Sequence, residues 1–293
     1  MRANISGTGI ALVTPFNADK SVDYAGLKKL VNHCILGGVE YLVSLGTTAE
    51  SATLNAEEKA KITKTIIAST DGRVPVVLGI GGNNTREVIQ TIKSTNLDGI
   101  EAILSVSPYY NKPTQEGIYQ HYKAIAEVSP KPIIVYNVPG RTASNMSALT
   151  ILRLAHDFTN IAAVKEAGGD MNQIMEVLNG RPKDFAVLSG DDNLTYPMLA
   201  LGCNGVISVS GQAFPRIFSG MVRDCISGYF EKAKPAHFKL FNFTNLIFAE
   251  GNPGGIKASL KVLGVCDDHL RQPLWPISLD LNNSIEKEVK RIQ

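Results

Sequence analysis

Three observations in the 293-residue sequence predict an α/β fold, a (β/α)8 barrel with a C-terminal helical extension. Eight short apolar runs rich in Val, Ile and Leu recur about every 20–35 residues, as successive βα units do in such barrels. The runs are nearly continuous rather than alternating, which is typical of strands that are covered on both faces of a parallel sheet. Amphipathic helical patterns separate them, so that each repeat contains one strand and one helix.

The eight candidate strands can be quoted directly from the sequence. They are, in order, GIALVTPF (9–16), YLVSLG (41–46), VPVVLGIG (74–81), IEAILSVSP (100–108), PIIVYNVP (132–139), IAAVKEA (161–167), FAVLSGDD (185–192) and GVISVS (205–210). A doubly wound open sheet is the main rival, but it favours fewer strands and a glycine-rich GxGxxG turn after the first strand. GIGGNN (79–84) does not match that turn, so we expect no dinucleotide site.

Helix ends are visible between the strands. The first helix ends at the Gly37-Gly38 pair, which is a common C-terminal stop. The sequence predicts N-terminal caps at Asn55 (with Glu58 three residues later, as in a capping box), Thr85, Asp170 and Asp192. After about residue 215 the pattern becomes all helical. We therefore expect a catalytic barrel over residues 1–214 and a helical extension over residues 215–293.

The composition excludes several classes of partner. The formal net charge is +2, so no electrostatic argument favours nucleic acid or an anionic membrane surface. No apolar stretch reaches the roughly 20 residues of a membrane helix, and the N-terminus lacks the pattern of a signal peptide. Four scattered cysteines form no CxxC pair and have no histidine at zinc spacing. We expect a cytoplasmic protein with reduced thiols.

The stretch IAAVKEAGG (161–169) ends an apolar strand on Lys165, although lysine is seldom fully buried unless it is paired. A solvent-exposed ion pair with Glu166 is the simplest explanation. In a barrel, however, active sites lie at the C-terminal ends of the strands, where Lys165 would be. A desolvated lysine amine at that position can attack a ketone or an aldehyde and form an imine.

Polar residues follow other predicted strands as well. Tyr136 could shuttle protons for imine chemistry, or it could be a core tyrosine with a satisfied hydroxyl. Thr47 and Thr48, after a glycine, could bind a carboxylate with their hydroxyl and N–H groups, or they could form an ordinary turn. Arg141 offers a bidentate fork for a second carboxylate, or it could form a surface ion pair.

A metal hypothesis rests on two neighbouring carboxylates. Asp191 and Asp192 follow the seventh apolar run, but no other candidate ligands share their spacing, and metal sites need several convergent ligands. We expect neither a metal nor an organic cofactor.

Five motifs resemble those of the dihydrodipicolinate synthases, a family of pyruvate-dependent class I aldolases. They are GTTAES (46–51), SPYYNKPTQEG (107–117), YNVPGRT (136–142), VKEA (164–167) and SGDD (189–192). The likeness extends over nearly the whole chain, from TGIALVTPF to NPGGIKASL. It implies a (β/α)8 barrel with a C-terminal helical extension, usually in a homotetramer that is a dimer of dimers.

The resemblance implies the condensation of pyruvate with L-aspartate 4-semialdehyde to 4-hydroxy-tetrahydrodipicolinate, toward diaminopimelate and lysine. It also implies roles for individual residues, each at a position that matches a family motif. These are Lys165 for the imine, then Tyr136, Thr47 and Tyr110 (from the neighbouring subunit) for a proton relay, Thr48 and the backbone near Ile207 for the pyruvate carboxylate, and Arg141 for the semialdehyde.

Two alternatives stay open. Sialic-acid lyases and 2-keto-3-deoxy sugar acid aldolases share the lysine and the tyrosine but accept longer hydroxylated aldehydes. The arginine of YNVPGRT argues against them, because it suits a short carboxylated aldehyde. A non-catalytic barrel that binds a small acid is a more remote alternative, and it would be expected to lack Lys165 or Tyr136.

The chain departs from the family pattern in two places. Ala49 stands where glycine is usual, which is harmless at a negative φ and strained at a positive one. The second departure is in a cleft that binds L-lysine in feedback-inhibited relatives. Five positions match that cleft: Ser51, Ala52, Asn83, Glu87 and Tyr109. Ala56 and Lys59 depart from it, because they stand where bulkier or imidazole side chains often occur. A cationic Lys59 would repel a bound ammonium by roughly 1 kcal/mol at 4 Å in water, so we expect weak or absent inhibition.

Overall fold

The computed structural model describes residues 5–293, and its eight strands form one closed parallel barrel in sequence order. The strands are β1 (Gly7–Ala11), β2 (Tyr41–Ser44), β3 (Val76–Gly79), β4 (Ile100–Val106), β5 (Ile133–Asn137), β6 (Ile161–Glu166), β7 (Ala186–Ser189) and β8 (Gly205–Ser208). The predicted fold class is therefore confirmed, and each strand lies within two residues of its predicted run or inside it.

The helices are numbered in chain order. They are α1 (Tyr24–Leu36), α2 (Ala56–Thr70), α3 (Thr85–Ser94), α4 (Gln115–Val128), α5 (Pro139–Thr142), α6 (Ala148–Asp157), α7 (Met171–Gly180), α8 (Thr195–Ala200), α9 (Pro215–Ile226), α10 (Phe230–Phe248), α11 (Gly254–Val262) and α12 (Leu279–Ile292). Three short 3₁₀ turns occupy Thr47–Ala49, Ser51–Thr53 and Ser210–Gln212. Among the helices of residues 5–293, none has both the length and the apolar character that a membrane crossing requires.

The chain divides into two compact units. Unit one comprises Val77–Ile207 with residues 5–6, and unit two comprises Gly7–Val76 with Ser208–Gln293. Unit one contains β4 to β7 and helices α3 to α8, whereas unit two contains β1, β2, α1, α2 and the four C-terminal helices. The division of the chain at residue 214 that the sequence suggests stays a prediction.

The strands of unit one pair in parallel. In the pairing of β5 with β6, Tyr136 lies opposite Lys165, and Asn137 lies opposite Glu166. The register is irregular near the start, since Ile133 pairs with Ile161 but Ile134 pairs with Ala163. β6 therefore contains one residue more than β5 across that step. All six residues of β6 are buried, as expected of a strand that is covered on both faces.

In unit two, β1 pairs in parallel with β2, and Gly9 lies opposite Tyr41. A Cβ atom on residue 9 would overlap the Tyr41 ring, so the strand pair accepts only glycine there. The C-terminal helices bury apolar faces that include Phe218 of α9 and Phe243 of α10.

The helix caps test the local predictions. Asn55 and Glu58 form a complete capping box at α2, and Asp170 accepts two backbone N–H groups at the start of α7, so both predictions are confirmed. The prediction of Thr85 is wrong by one residue, because the Asn84 side chain accepts the Arg86 N–H and caps α3. The prediction of Asp192 is also wrong: α8 begins at Thr195 without a side-chain cap.

Candidate active site

Lys165 and Tyr136 are brought together at the ends of β6 and β5. Their backbones are register partners, and Lys165 Nζ lies 4.3 Å from the centroid of the Tyr136 ring. Both side chains are buried, with 5% and 6% of their surface exposed. The arrangement places an amine against the face of a ring that carries a hydroxyl, in surroundings largely removed from water. A nucleophilic amine with a tyrosine beside it is the constellation that imine chemistry uses.

Gly190, in the SGDD motif after β7, leaves space for the Lys165 side chain. A Cβ atom at residue 190 would lie 2.9 Å from Lys165 Cε and 2.7 Å from Ala167 Cβ. The Gly190 N–H also donates to the Glu166 carbonyl at 2.7 Å, which extends the parallel pairing beyond β6. Gly190 is thus required for close approach rather than for an unusual backbone angle.

A buried carboxylate lies directly beside this pair in the sequence, and its partners were not foreseen. Glu166 accepts from Asn137 Nδ2 at 2.9 and 3.1 Å, from Gln173 Nε2 at 3.2 Å and from the Gly168 N–H at 3.0 Å. Burial raises the pKa of Glu166 to about 7, although these hydrogen bonds oppose the rise. A solvent-exposed pair with Lys165 does not form, since Glu166 is only 3% exposed. The alternation of side chains along β6 places Glu166 on the face opposite to Lys165, but it does not identify Asn137 or Gln173 as its partners.

Arg141 and Tyr110 are exposed on loops that follow their strands. Arg141 lies on the short helix α5, immediately after β5, and its backbone N–H donates to the Val138 carbonyl. Tyr110 follows β4 with a left-handed φ of 66° and is 90% exposed. Ile207 lies in β8 and is buried.

Unit two contains the two threonines of the GTTAES motif. Both lie in the 3₁₀ turn Thr47–Ala49, where Thr47 is exposed and Thr48 is 3% exposed. Asn252 Nδ2 donates to Thr48 Oγ1 at 2.9 Å. Because this oxygen accepts from the amide, the hydroxyl hydrogen of Thr48 is directed elsewhere and can donate to a ligand.

Ala49 is accommodated without strain. It belongs to the 3₁₀ turn and is not among the residues with positive φ. Glu50 is the residue of this loop that takes the left-handed conformation, with φ of 55°. The replacement of the usual glycine by Ala49 is therefore the harmless case, since no positive φ is required there. The Ala49 carbonyl accepts a hydrogen bond from Thr14 Oγ1 at 2.7 Å, which anchors the turn.

Glu50 has charged partners. Its carboxylate is 2.5 Å from Lys257 Nζ, in an ion pair whose two side chains are fully buried, and it accepts the Arg271 N–H at 3.0 Å. Lys257 also donates to the His269 carbonyl at 2.7 Å and lies over the Phe16 ring. Burial lowers the pKa of Lys257, and the charge of Glu50 opposes that change.

The positions that correspond to the lysine-binding cleft fall in both units. In unit one, Asn83 Nδ2 donates to the Tyr109 carbonyl at 3.1 Å, and Glu87 is exposed in the first turn of α3. In unit two, Ser51 and Ala52 lie in the second 3₁₀ turn, and Ala56 and Lys59 lie at the start of α2.

Comparisons with known proteins agree with these observations. A model of the dihydrodipicolinate synthetase family matches residues 4–292. The chain is 54% identical to a 4-hydroxy-tetrahydrodipicolinate synthase of Flavobacterium psychrophilum over 98% of each chain. It is 49% identical to the enzyme of that name from Parabacteroides distasonis, over 99% of this chain and 97% of the relative. Among solved structures, a dihydrodipicolinate synthase from Thermotoga maritima matches with a TM-score of 0.96, 38% identity and 99% coverage of both chains.

Proposed function

The chain belongs to the dihydrodipicolinate synthetase family, and from this membership we propose the reaction that it catalyses. It condenses pyruvate with L-aspartate 4-semialdehyde to 4-hydroxy-tetrahydrodipicolinate, in the biosynthesis of diaminopimelate and lysine. The observation that carries the chemistry is the buried amine of Lys165 against the ring of its register partner Tyr136. A buried lysine beside a tyrosine is what a Schiff-base mechanism needs.

The first half of the reaction activates pyruvate. The neutral amine of Lys165 attacks the ketone carbon, and Tyr136 moves the protons that allow water to leave. The product is an imine, which draws electrons from the adjacent methyl group. Loss of one methyl proton gives an enamine, whose terminal carbon is nucleophilic. The barrier to proton transfer is lowered when the donor and acceptor are held within hydrogen-bonding reach.

The second half forms the carbon–carbon bond and closes the ring. The enamine carbon attacks the aldehyde of the semialdehyde, and the resulting alkoxide takes up a proton. The amino group of the semialdehyde portion then attacks the imine carbon and displaces Lys165 as the free amine. The six-membered ring leaves as 4-hydroxy-tetrahydrodipicolinate, and the enzyme returns to its starting state.

The remaining roles are assigned by likeness to the family. We assign Thr47 and Tyr110 to the proton relay with Tyr136, and Thr48 and the backbone near Ile207 to the pyruvate carboxylate. Arg141 would bind the carboxylate of the semialdehyde. A free hydroxyl hydrogen supports the role of Thr48, and exposure supports that of Arg141.

A homotetramer built from two dimers is part of the same proposal, as is a cytoplasmic location. Tyr110 is 90% exposed in the single chain, which suits a side chain that reaches into a neighbouring copy. A side chain that served its own subunit would be expected to contact it more extensively.

Borohydride trapping tests the nucleophile. The protein is incubated with pyruvate, reduced with borohydride and mapped by mass spectrometry. We expect a single adduct at Lys165, its absence in Lys165→Arg, and its retention in Lys183→Arg, a matched change at an exposed lysine. An adduct at another residue would refute the assignment.

A substrate panel tests the reaction itself. Pyruvate consumption is measured with aspartate semialdehyde and, in parallel, with hydroxylated sugar aldehydes. Strong preference for the semialdehyde is the expected result. Preference for the sugar aldehydes would keep Lys165 in its role but assign the chain to the sugar-acid aldolases, and the reasoning from Arg141 would be wrong.

A further inference from the structure

The ends of β5 and β6 carry two pairs of side chains in succession. Tyr136 pairs with Lys165 in the register, and the next step pairs Asn137 with Glu166. Successive side chains of a strand point to opposite faces of the sheet. The second pair therefore lies on the face opposite to the first, one residue further along the same two strands. A hydrogen bond between the side chains of Asn137 and Glu166 therefore restrains the distance between the two strands immediately next to Tyr136 and Lys165.

The Glu166 carboxylate joins three elements of unit one. Asn137 Nδ2, on β5, donates to both carboxylate oxygens, at 2.9 and 3.1 Å. Gln173 Nε2, on α7, donates to Oε2 at 3.2 Å, and the Gly168 N–H donates to Oε1 at 3.0 Å. The exposed fractions of Asn137, Glu166 and Gln173 are 0%, 3% and 9%. We call these three side chains the carboxylate–amide cluster.

The orientation of the Asn137 amide follows from the partner of its oxygen atom. Its Oδ1 atom accepts the N–H of Met146 at 2.9 Å, and a backbone N–H can only donate. The amide nitrogen must therefore face Glu166. Asn145 Nδ2 donates to Gln173 Oε1 at 2.8 Å, which leaves the Gln173 nitrogen to face the same carboxylate.

All the groups around Glu166 that are named above are donors, which explains why this position needs a carboxylate. A glutamine would direct its own NH2 group at one of them and lose a bond. A buried carboxylate without a cationic partner costs free energy, so stability alone does not account for it. The backbone continues the same pattern, since the Ala167 N–H donates to the Asn137 carbonyl at 2.9 Å.

We propose that Glu166 is a positioning residue. Through Asn137 it holds the ends of β5 and β6 in one alignment, and this fixes the Tyr136 ring against the amine of Lys165. The inference rests on the proposed function of that pair. The step most sensitive to it is proton transfer between the imine and Tyr136, because such transfer falls steeply when the partners move apart.

Glu166→Gln tests the proposal in the full-length protein. The readout is exchange of the pyruvate methyl protons in D2O, followed by NMR without semialdehyde, which reports enamine formation. We expect exchange to slow by about 10- to 100-fold, the effect of a small misplacement of a catalytic group. The equilibrium yield of the borohydride adduct at Lys165 should stay within about twofold. Glu176→Gln, the same substitution at an exposed site of α7, is the matched control and should exchange at the wild-type rate.

A swapped variant separates positioning from general damage. Asn137→Asp with Glu166→Gln exchanges the donor and the acceptor between the two strands and keeps the acceptor for the Met146 N–H. It gives up the bond from Asn137 Nδ2 to Asn145 Oδ1, which Glu166→Gln alone retains. We expect it to exchange faster than Glu166→Gln alone. If Glu166→Gln does not fold, the test uses Asn137→Ser instead. This variant removes the amide that donates between the strands, and we expect the same slowing of proton exchange.

Two results would overturn the proposal. One is a folded Glu166→Gln protein that exchanges protons at the wild-type rate. The other is a folded swapped variant that is no faster than the single variant. Failure of the proposed function is distinguishable, because it would appear in the wild type as the absence of both the adduct and the exchange.

Discussion

Two buried glutamates, one in each unit, are held in contrasting ways. Glu50 of unit two faces the ammonium of Lys257, whereas Glu166 of unit one accepts hydrogen bonds from two neutral amides and a backbone N–H. Their exposures are 4% and 3%, so burial does not distinguish them. Equal burial therefore serves different ends in the two units. A carboxylate with a charged partner links distant segments, whereas one with neutral donors takes up a proton more readily, as the raised pKa of Glu166 indicates.

The largest expected effect comes from breaking the charged pair. Lys257→Met removes the ammonium and leaves the buried Glu50 carboxylate without its ion-pair partner. We expect the free energy of unfolding to fall by about 3–5 kcal/mol, measured by urea denaturation. Lys261→Met on the same helix is the matched control, because Lys261 pairs with Asp268 at the surface and should cost less than about 1 kcal/mol.

A double variant sharpens this result. Glu50→Gln combined with Lys257→Met removes both charges, and it should recover most of the lost stability. If the double variant is as unstable as Lys257→Met, the loss comes from packing and hydrogen bonding rather than from an isolated charge. The contrast between the two glutamates would then need another explanation.

The pH dependence of stability is the second test. The pKa of Glu166 is about 7 in the folded protein against an ordinary value of 4.5, so the folded state binds more protons between these pH values. Its contribution to stability is therefore fully present at low pH and is lost as the pH rises through 7. Between pH 4.5 and pH 8, wild type should lose on the order of 3 kcal/mol more than Glu166→Gln. Parallel slopes in urea denaturation would contradict the contrast.

The smallest effect concerns the loop beside Glu50. Asn252→Ala removes the amide that orients the Thr48 hydroxyl. Loss of one hydrogen bond is worth about 0.5–1.5 kcal/mol, so the KM for pyruvate should rise by roughly 2- to 12-fold while kcat changes little. Steady-state kinetics measures both constants, and Asn283→Ala, at an exposed site of α12, is the control. A fall in kcat with an unchanged KM would assign Asn252 to the chemical step.

Features of the fold that depend on residues close together in the sequence could be predicted from the sequence. The eight strands and the capping box at Asn55 follow from short apolar runs and from residues within a few positions of one another. The buried clusters do not follow, because their partners are distant. Lys257 is 207 positions from Glu50, and Asn137 is 29 positions from Glu166. Periodicity indicates which face a residue occupies and leaves its partners on other elements undetermined.

The register between β5 and β6 is another feature that could not be predicted from the sequence. Regular pairing from Ile133 and Ile161 onward would place Val164, not Lys165, opposite Tyr136. The irregular step supplies the one-residue difference, and it leaves no mark in the apolar run itself. The meeting of Lys165 and Tyr136 thus depends on a feature that hydrophobicity cannot reveal.

Ala162 is the extra residue at the irregular step between β5 and β6. The pairing of β6 with β5 therefore has one register before Ala162 and another after it. A change of length in the loop before β6 can therefore be absorbed at this point. The distal part of the strand keeps its own partners, since Asn137 and Glu166 bond to each other beyond the irregularity. For protein engineers, we expect insertions and deletions in the loop before β6 to be tolerated better than those after Ala162, which would shift Lys165 away from Tyr136.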